Sequence, residues 1–285
     1  MAYDKSFYEE QCQGSRNSAG EIVPFLLKLF DIKSVVDLGC GLGTWLSVFM
    51  QAGVTDIAGY DGDYVPREYL QIPAEKFHSA DFCADVNFPG RYDLAMSLEV
   101  AEHLPASCAE SFVGKLTSLA DIVMFSSAFP YQGGTGHVNE NYPEYWACIF
   151  KKFGYVPVDI IREQFWCNGM VCPWYRQNIL IFIRESVKEQ KFPDMQDARG
   201  KLLSRIHPEM YFWCNVRPDN KSFTPQVFEI DKTAFYSVTN AWLTDGVLPE
   251  NIKSYGQEYN IEYSQMPWWK KLRLKLAFYR SKGGK

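Results

Sequence analysis

The chain has 285 residues, 47% hydrophobic and 22% charged, the make-up of a core-building protein and not of a disordered one. No stretch approaches the roughly 18–20 unbroken apolar residues of a membrane helix, and the start, Met1-Ala2-Tyr3-Asp4, lacks the basic-then-apolar pattern of an export signal. The net charge of −5 is uneven: Met266–Lys285 holds seven basic residues and no acid, so the remaining body is acidic and unsuited to broad nucleic-acid binding.

In chain order, Ile22 to Phe30 is apolar at helical spacing and predicts a helix within an N-terminal helical segment, residues 1–30. Ser34–Leu38 is a β-branched run that ends in Gly39-Cys40-Gly41-Leu42-Gly43, and helical spacing resumes from Thr44 to Gly53. Further strands are predicted at Asp56–Tyr60, Lys76–Ala80, Tyr92–Leu98 and Asp121–Ser126. A single helix is expected from about Ala101 to Leu119. After a long polar loop from Pro130 to Asn141 come a helix near Pro143–Phe153 and strands at Tyr155–Ile161 and Asn178–Arg184.

This alternation predicts an α/β fold, a doubly wound and mostly parallel sheet covered on both faces, over residues 31–185. Ligands in such sheets sit beyond the carboxyl ends of the strands. Three successive strands end there in acids, Asp61, Asp81 and Glu99, and the first ends in glycines. Residues 186–265 lose the alternation and read as an extension or lid, with room for a substrate module. Residues 266–285 form a basic tail in which Trp269, Leu272, Leu276 and Tyr279 share one helical face. Contact with an anionic membrane surface and docking on the acidic body are both open for it.

The eight scattered cysteines, without an export signal, are expected to be reduced thiols in a cytoplasmic protein rather than a disulfide frame or zinc site.

The glycine loop is GxGxG and not GxGxxG, with Thr44 where a dinucleotide site wants its third glycine. Asp37 precedes it, which repels phosphate and suits a cationic amino acid or sulfonium. A carboxylate at Asp61, followed by Gly62, is placed to accept from both hydroxyls of a ribose. The run Val35-Val36-Asp37-Leu38-Gly39-Cys40-Gly41-Leu42-Gly43, with Asp61, Asp81 and the strand from Asp93 to Glu99, resembles the motifs of class I S-adenosylmethionine-dependent methyltransferases. The resemblance implies a seven-stranded sheet. It places Asp37, Gly39, Cys40, Gly41 and Gly43 at the methionine part of the cofactor, Asp61 and Gly62 at the ribose, and Asp81 with Phe82 at the adenine. Leu98 and Glu99 close the site.

The chemical end is read from Ser97-Leu98-Glu99-Val100-Ala101-Glu102-His103 and from Gly133-Gly134-Thr135-Gly136-His137-Val138-Asn139-Glu140. Glu99, Glu102 and His103 fall on one face once the chain turns helical. Two readings stay open. In one, His103 or His137, beside Glu102, is the general base for an acceptor hydroxyl. In the other, Glu99, Glu102, His103 and His137 bind Mg²⁺, Mn²⁺ or Zn²⁺. The second pattern is similar to the metal set of small-RNA 3′-end methyltransferases and to ubiquinone-pathway O-methyltransferases.

The glycine-rich loop, Tyr145-Trp146 and Trp174-Tyr175 with Gln177-Asn178 resemble methyltransferases of surface-polysaccharide assembly. A sugar or glycan-precursor hydroxyl is therefore the leading acceptor. An RNA terminus, a small phenol, or a non-catalytic cofactor-fold module in a glycan-assembly complex are the alternatives.

Overall fold

The structure is a computed structural model and describes residues 5–86, 88–134, 136–215 and 242, with side chains from Gln13 to Tyr211 and at Trp242. The basic tail and most of the extension lie outside the described residues.

Helix α1 (Lys5–Leu29) leads into β1 (Ser34–Leu38), α2 (Thr44–Gln51), β2 (Asp56–Asp61), β3 (Phe77–Ser79) and β4 (Leu94–Leu98). Then come α3 (Ala109–Leu119), β5 (Ile122–Ser126), α4 (Pro143–Lys152), β6 (Tyr155–Val158), α5 (Ile160–Phe165), α6 (Pro173–Asn178), β7 (Leu180–Arg184), α7 (Glu185–Lys191) and α8 (Pro208–Asn215). The strands form one seven-stranded sheet in the order β3-β2-β1-β4-β5-β7-β6. β7 alone runs against its neighbours, pairing antiparallel with both β5 and β6. The expected doubly wound, mostly parallel sheet is present.

Strand residues are buried on both faces, as parallel sheets with helical cover require. One apolar layer joins Val36, Leu38, Ala95, Val123 and Phe125 to α3 and α4. The opposite layer joins Val35, Ile57, Met96 and Ile181 to α1 and α2. Strand order reverses between β1 and β4, which places the switch point beside the glycine loop.

Local differences from the sequence reading have local causes. Helix α1 begins at Lys5, well before Ile22, and its Ser15 meets Tyr175 at the carboxyl rim of the sheet. The long helix expected from Ala101 is broken. Two short 3₁₀ turns, Ala101–His103 and Ala106–Cys108, precede α3, since Pro105 cannot continue a helix. The strand expected to reach Ile161 stops at Val158, and α5 follows.

The extension is partly integral to this core. Ala198, Leu203 and Met210 are buried. Glu144 of α4 accepts from the backbone amides of Leu203 and Ser204, and the fully buried Arg162 of α5 donates to the Leu203 carbonyl while pairing with Asp159.

One cysteine expectation is corrected: Cys83 and Cys108 form a disulfide, with Cα atoms 5.4 Å apart. The fold brings two residues 25 positions apart within bridging reach, which spacing alone did not reveal. Cys40, Cys148, Cys167 and Cys172 are free thiols.

Candidate active site

The glycine loop is a left-handed turn: Gly39, Gly41 and Gly43 have φ of 94°, 53° and 79°. Gly39 is required twice over, since a Cβ there would lie 2.2 Å from Cγ2 of Val100. The turn hangs from β2 through Gly39 N and Cys40 N, both donating to the Tyr60 carbonyl. Cys40 is buried, and burial raises its thiol pKa beyond any reactive range.

Asp37 is 3% exposed on β1. Burial, and secondly the charge of Asp61, push its carboxyl well above the usual carboxylate range. Asp61 closes β2, and its Oδ2 accepts from Gly41 N at 2.7 Å. Its Oδ1 accepts from Gly62 N at 2.7 Å and from the Tyr64 hydroxyl at 2.5 Å. The predicted methionine and ribose residues are thus assembled around one turn.

The predicted adenine pair follows β3. Asp81 is exposed and its Oδ1 caps its own turn at Cys83 N. Phe82 is buried against Phe88 and Phe112, so its ring belongs to the core.

At the acceptor end, the predicted four-residue cluster resolves into three. Glu99 does not share a face with Glu102 and His103. It takes a left-handed φ of 56° and lies outside the close cluster, yet near enough to interact by charge with Glu102 and His137. There it accepts from Gln132 Nε2 at 3.0 Å and Asn178 Nδ2 at 3.1 Å. Burial raises its pKa, and the hydrogen bonds from Asn178, Ser126 and Gln132 work against that rise.

Glu102, His103 and His137 do converge, with one ligand-capable atom from each lying within 4.8 Å of the others. The link is backbone: Val138 N and Asn139 N donate to the Glu102 carbonyl at 2.8 and 3.0 Å. Glu102 is fully buried, and neither carboxylate oxygen has a hydrogen-bond partner among the described residues. Ser127 and the Ala128 amide lie near enough to favour its ionised form without bonding geometry. Burial, then the charge of Glu99, still hold its pKa well above normal.

Both imidazoles have their tautomer set from behind. Nδ1 of His137 donates to Glu140 Oε1 at 2.7 Å, and Nδ1 of His103 faces the Gly136 carbonyl at 3.3 Å. Glu140 also accepts from Tyr131 N and Gly133 N, so one buried carboxylate folds the loop and orients the histidine.

Sequence reasoning did not assign roles to Glu140, Gln132 or Asn178. Glu140 carried a signal, as an acid three residues beyond a loop histidine. Gln132 and Asn178 reach Glu99 only through the fold.

The sheet and its flanking helices form a doubly wound, Rossmann-like fold. Residues 8–120 match a family model described as a methyltransferase domain. No curated protein matches the chain significantly. Among solved structures, magnesium protoporphyrin IX methyltransferase from Synechocystis PCC 6803 is 22% identical over 60% of this chain and 84% of its own, with a TM-score of 0.45. The methyltransferase domain of bacterial CtHen1-C is 22% identical over 59% and 97%, TM-score 0.44. CalS10, an amino pentose methyltransferase from Micromonospora echinaspora, is 12% identical over 65% and 98%, TM-score 0.46.

Proposed function

We propose that the chain is an S-adenosylmethionine-dependent methyltransferase that acts on a hydroxyl of a sugar or glycan precursor. The observation that carries this reading is the sharing of one sheet rim by two sites. One is a glycine turn with buried Asp37 and ribose-ready Asp61, and the other is the Glu102–His103–His137 cluster.

In this reading Asp37 faces the cationic methionine end of the donor and Asp61 accepts from the ribose. The acceptor oxygen attacks the methyl carbon as the carbon–sulfur bond breaks, leaving S-adenosylhomocysteine. The residues of the cluster fit a divalent cation. A buried carboxylate whose two oxygens have no partner among the described residues is costly alone, one nitrogen of each imidazole lies within 4.8 Å of it, and Glu140 backs His137 in the manner of a metal site. When bound, the cation would lower the pKa of the acceptor hydroxyl. Glu99 is not part of this ligand set. In the alternative, His103 or His137 is the general base that takes the acceptor's proton.

A second reading, an RNA 3′ terminus as acceptor, is favoured by the carboxylate-and-two-imidazole cluster alone; the acidic body opposes it. The basic tail is assigned to peripheral membrane contact near lipid-carried glycan precursors. No described helix is long and apolar enough to cross a membrane.

The test is calorimetric titration with S-adenosylmethionine, followed by label transfer to sugar nucleotides, lipid-linked sugars and short RNAs, with and without exhaustive chelation. Absence of donor binding rejects the enzyme reading. Full activity after chelation assigns the cluster to proton transfer instead of metal binding.

A further inference from the structure

We infer that Arg16, on the N-terminal helix, is the residue that binds the carboxylate of the donor's amino-acid end. The inference rests on the proposed reading that the methionine half of S-adenosylmethionine lies over the glycine turn.

Helix α1 runs from the carboxyl rim of the sheet down to the opposite edge, where β1 begins. A helix rises about 1.5 Å per residue, so its first half stands at the rim and its last turn at the start of β1. The contacts agree. Ser15 Oγ lies 3.2 Å from the Tyr175 hydroxyl, and the Tyr175 ring packs edge-on against Trp45 in the first turn of α2, 5.3 Å between centroids. The next residue, Arg16, donates from Nη2 to the Gln71 side-chain oxygen. Gln71 in turn donates its backbone N–H to the carbonyl of Leu42, inside the glycine turn, at 2.8 Å. The neighbouring Ile72 packs so tightly on Gly43 that a Cβ there would come within 2.8 Å of it. One side chain and one backbone bond therefore separate the guanidinium from the loop.

Arg16 is half-buried and has no carboxylate partner among the described residues. This sets it apart from Arg162, Arg176, Arg184 and Arg199, each of which pairs with an acid. A guanidinium has five donors in a planar fork that matches a carboxylate, and Gln71 takes one of them. Buried Asp37, on the strand that leads into the turn, is an acid of opposite sign. An α-amino acid offers a cation and an anion on one carbon. Asp37 answers the ammonium, and Arg16 answers the carboxylate. The N-terminal helix, which the sequence sets apart as a segment of its own, thereby becomes part of the donor site.

The experiment compares S-adenosylmethionine, which has the amino-acid end, with 5′-methylthioadenosine, which lacks it, by titration against wild type, Arg16→Ala and Arg16→Gln. The glutamine variant keeps most of the stem and a donor for Gln71, so it guards against misfolding. The expected result is a loss of about 10- to 100-fold in S-adenosylmethionine affinity for both variants, the range for a charge-assisted bond, with 5′-methylthioadenosine affinity within twofold. Equal weakening of both ligands, or no change in either, overturns the assignment. Wild-type protein that binds 5′-methylthioadenosine but not S-adenosylmethionine overturns it too. Wild-type protein that binds neither ligand overturns the donor reading itself, and this assignment with it.

Discussion

The hydroxyl of Tyr64 donates to Oδ1 of Asp61 at 2.5 Å while four-fifths of the Tyr64 residue stays in solvent. A carboxylate has about four lone-pair sites. Gly41 N, Gly62 N and the Tyr64 hydroxyl fill three of them. A ribose that presents two hydroxyls needs two, so the phenol must leave when the donor binds. Tyr64→Phe is expected to tighten S-adenosylmethionine and adenosine about fivefold, the worth of roughly 1 kcal/mol for one net hydrogen bond. Titration of both ligands checks this, and weaker binding by the variant would show that the phenol holds the ligand instead of competing with it.

Asp37 makes the donor site pH-sensitive. Its folded pKa is raised, by burial first and by Asp61 second. Its contribution to stability is therefore complete below the unfolded value, about 3.9, and is lost as pH rises through the folded value. A cationic ligand favours the ionised form, so S-adenosylmethionine affinity should rise with pH through the same window, with proton release on binding. Calorimetry in buffers of different ionisation enthalpy measures the released proton. Asp37→Asn should abolish both the release and the slope.

Gly134 makes room for the His137 ring. A Cβ on it would lie 2.1 Å from His137 Nε2, closer than any atoms pack, so Gly134→Ala must displace the imidazole. The expected outcome is a loss of turnover of more than tenfold with donor affinity unchanged, since the glycine turn is untouched. Steady-state rates beside donor titration decide it, and unaltered turnover would remove His137 from the chemistry.

The Cys83–Cys108 bridge ties the turn after β3 to the approach of α3, where Lys115 also donates to the Phe82 and Ala84 carbonyls. Closing a loop of this length constrains the unfolded chain by about 3 kcal/mol. Cys108→Ser should lower stability by that order in denaturant titrations without reductant, and dithiothreitol should bring the wild type close to the variant. Mass analysis after alkylation of the unreduced, denatured protein should find Cys83 and Cys108 unmodified.

Much of the architecture was legible from spacing. The strand–glycine–helix opening, the acids at strand ends and the alternation to Arg184 are local patterns, and local propensity with burial periodicity is what such patterns record. The errors fall where a distant contact overrode the local signal. The polar stretch Gly14–Ser18 is helical where it packs on Cys172 and Tyr175. Glu99 departs from the face that Glu102 and His103 were expected to share because Gln132 and Asn178, distant in the chain, hold its carboxylate.

By itself the chain's order of residues determined the class of sheet, the position of its binding rim and the acids and glycines upon it, because each of these follows from neighbours a few positions apart. Only tertiary packing decided which side chains face one another across that rim. Arg16 bonds Gln71, His137 meets Glu102, and Asn178 holds Glu99, each joined by segments tens of residues away. Such encounters depend on how helices and loops settle on the finished sheet, and no periodicity in the sequence encodes them.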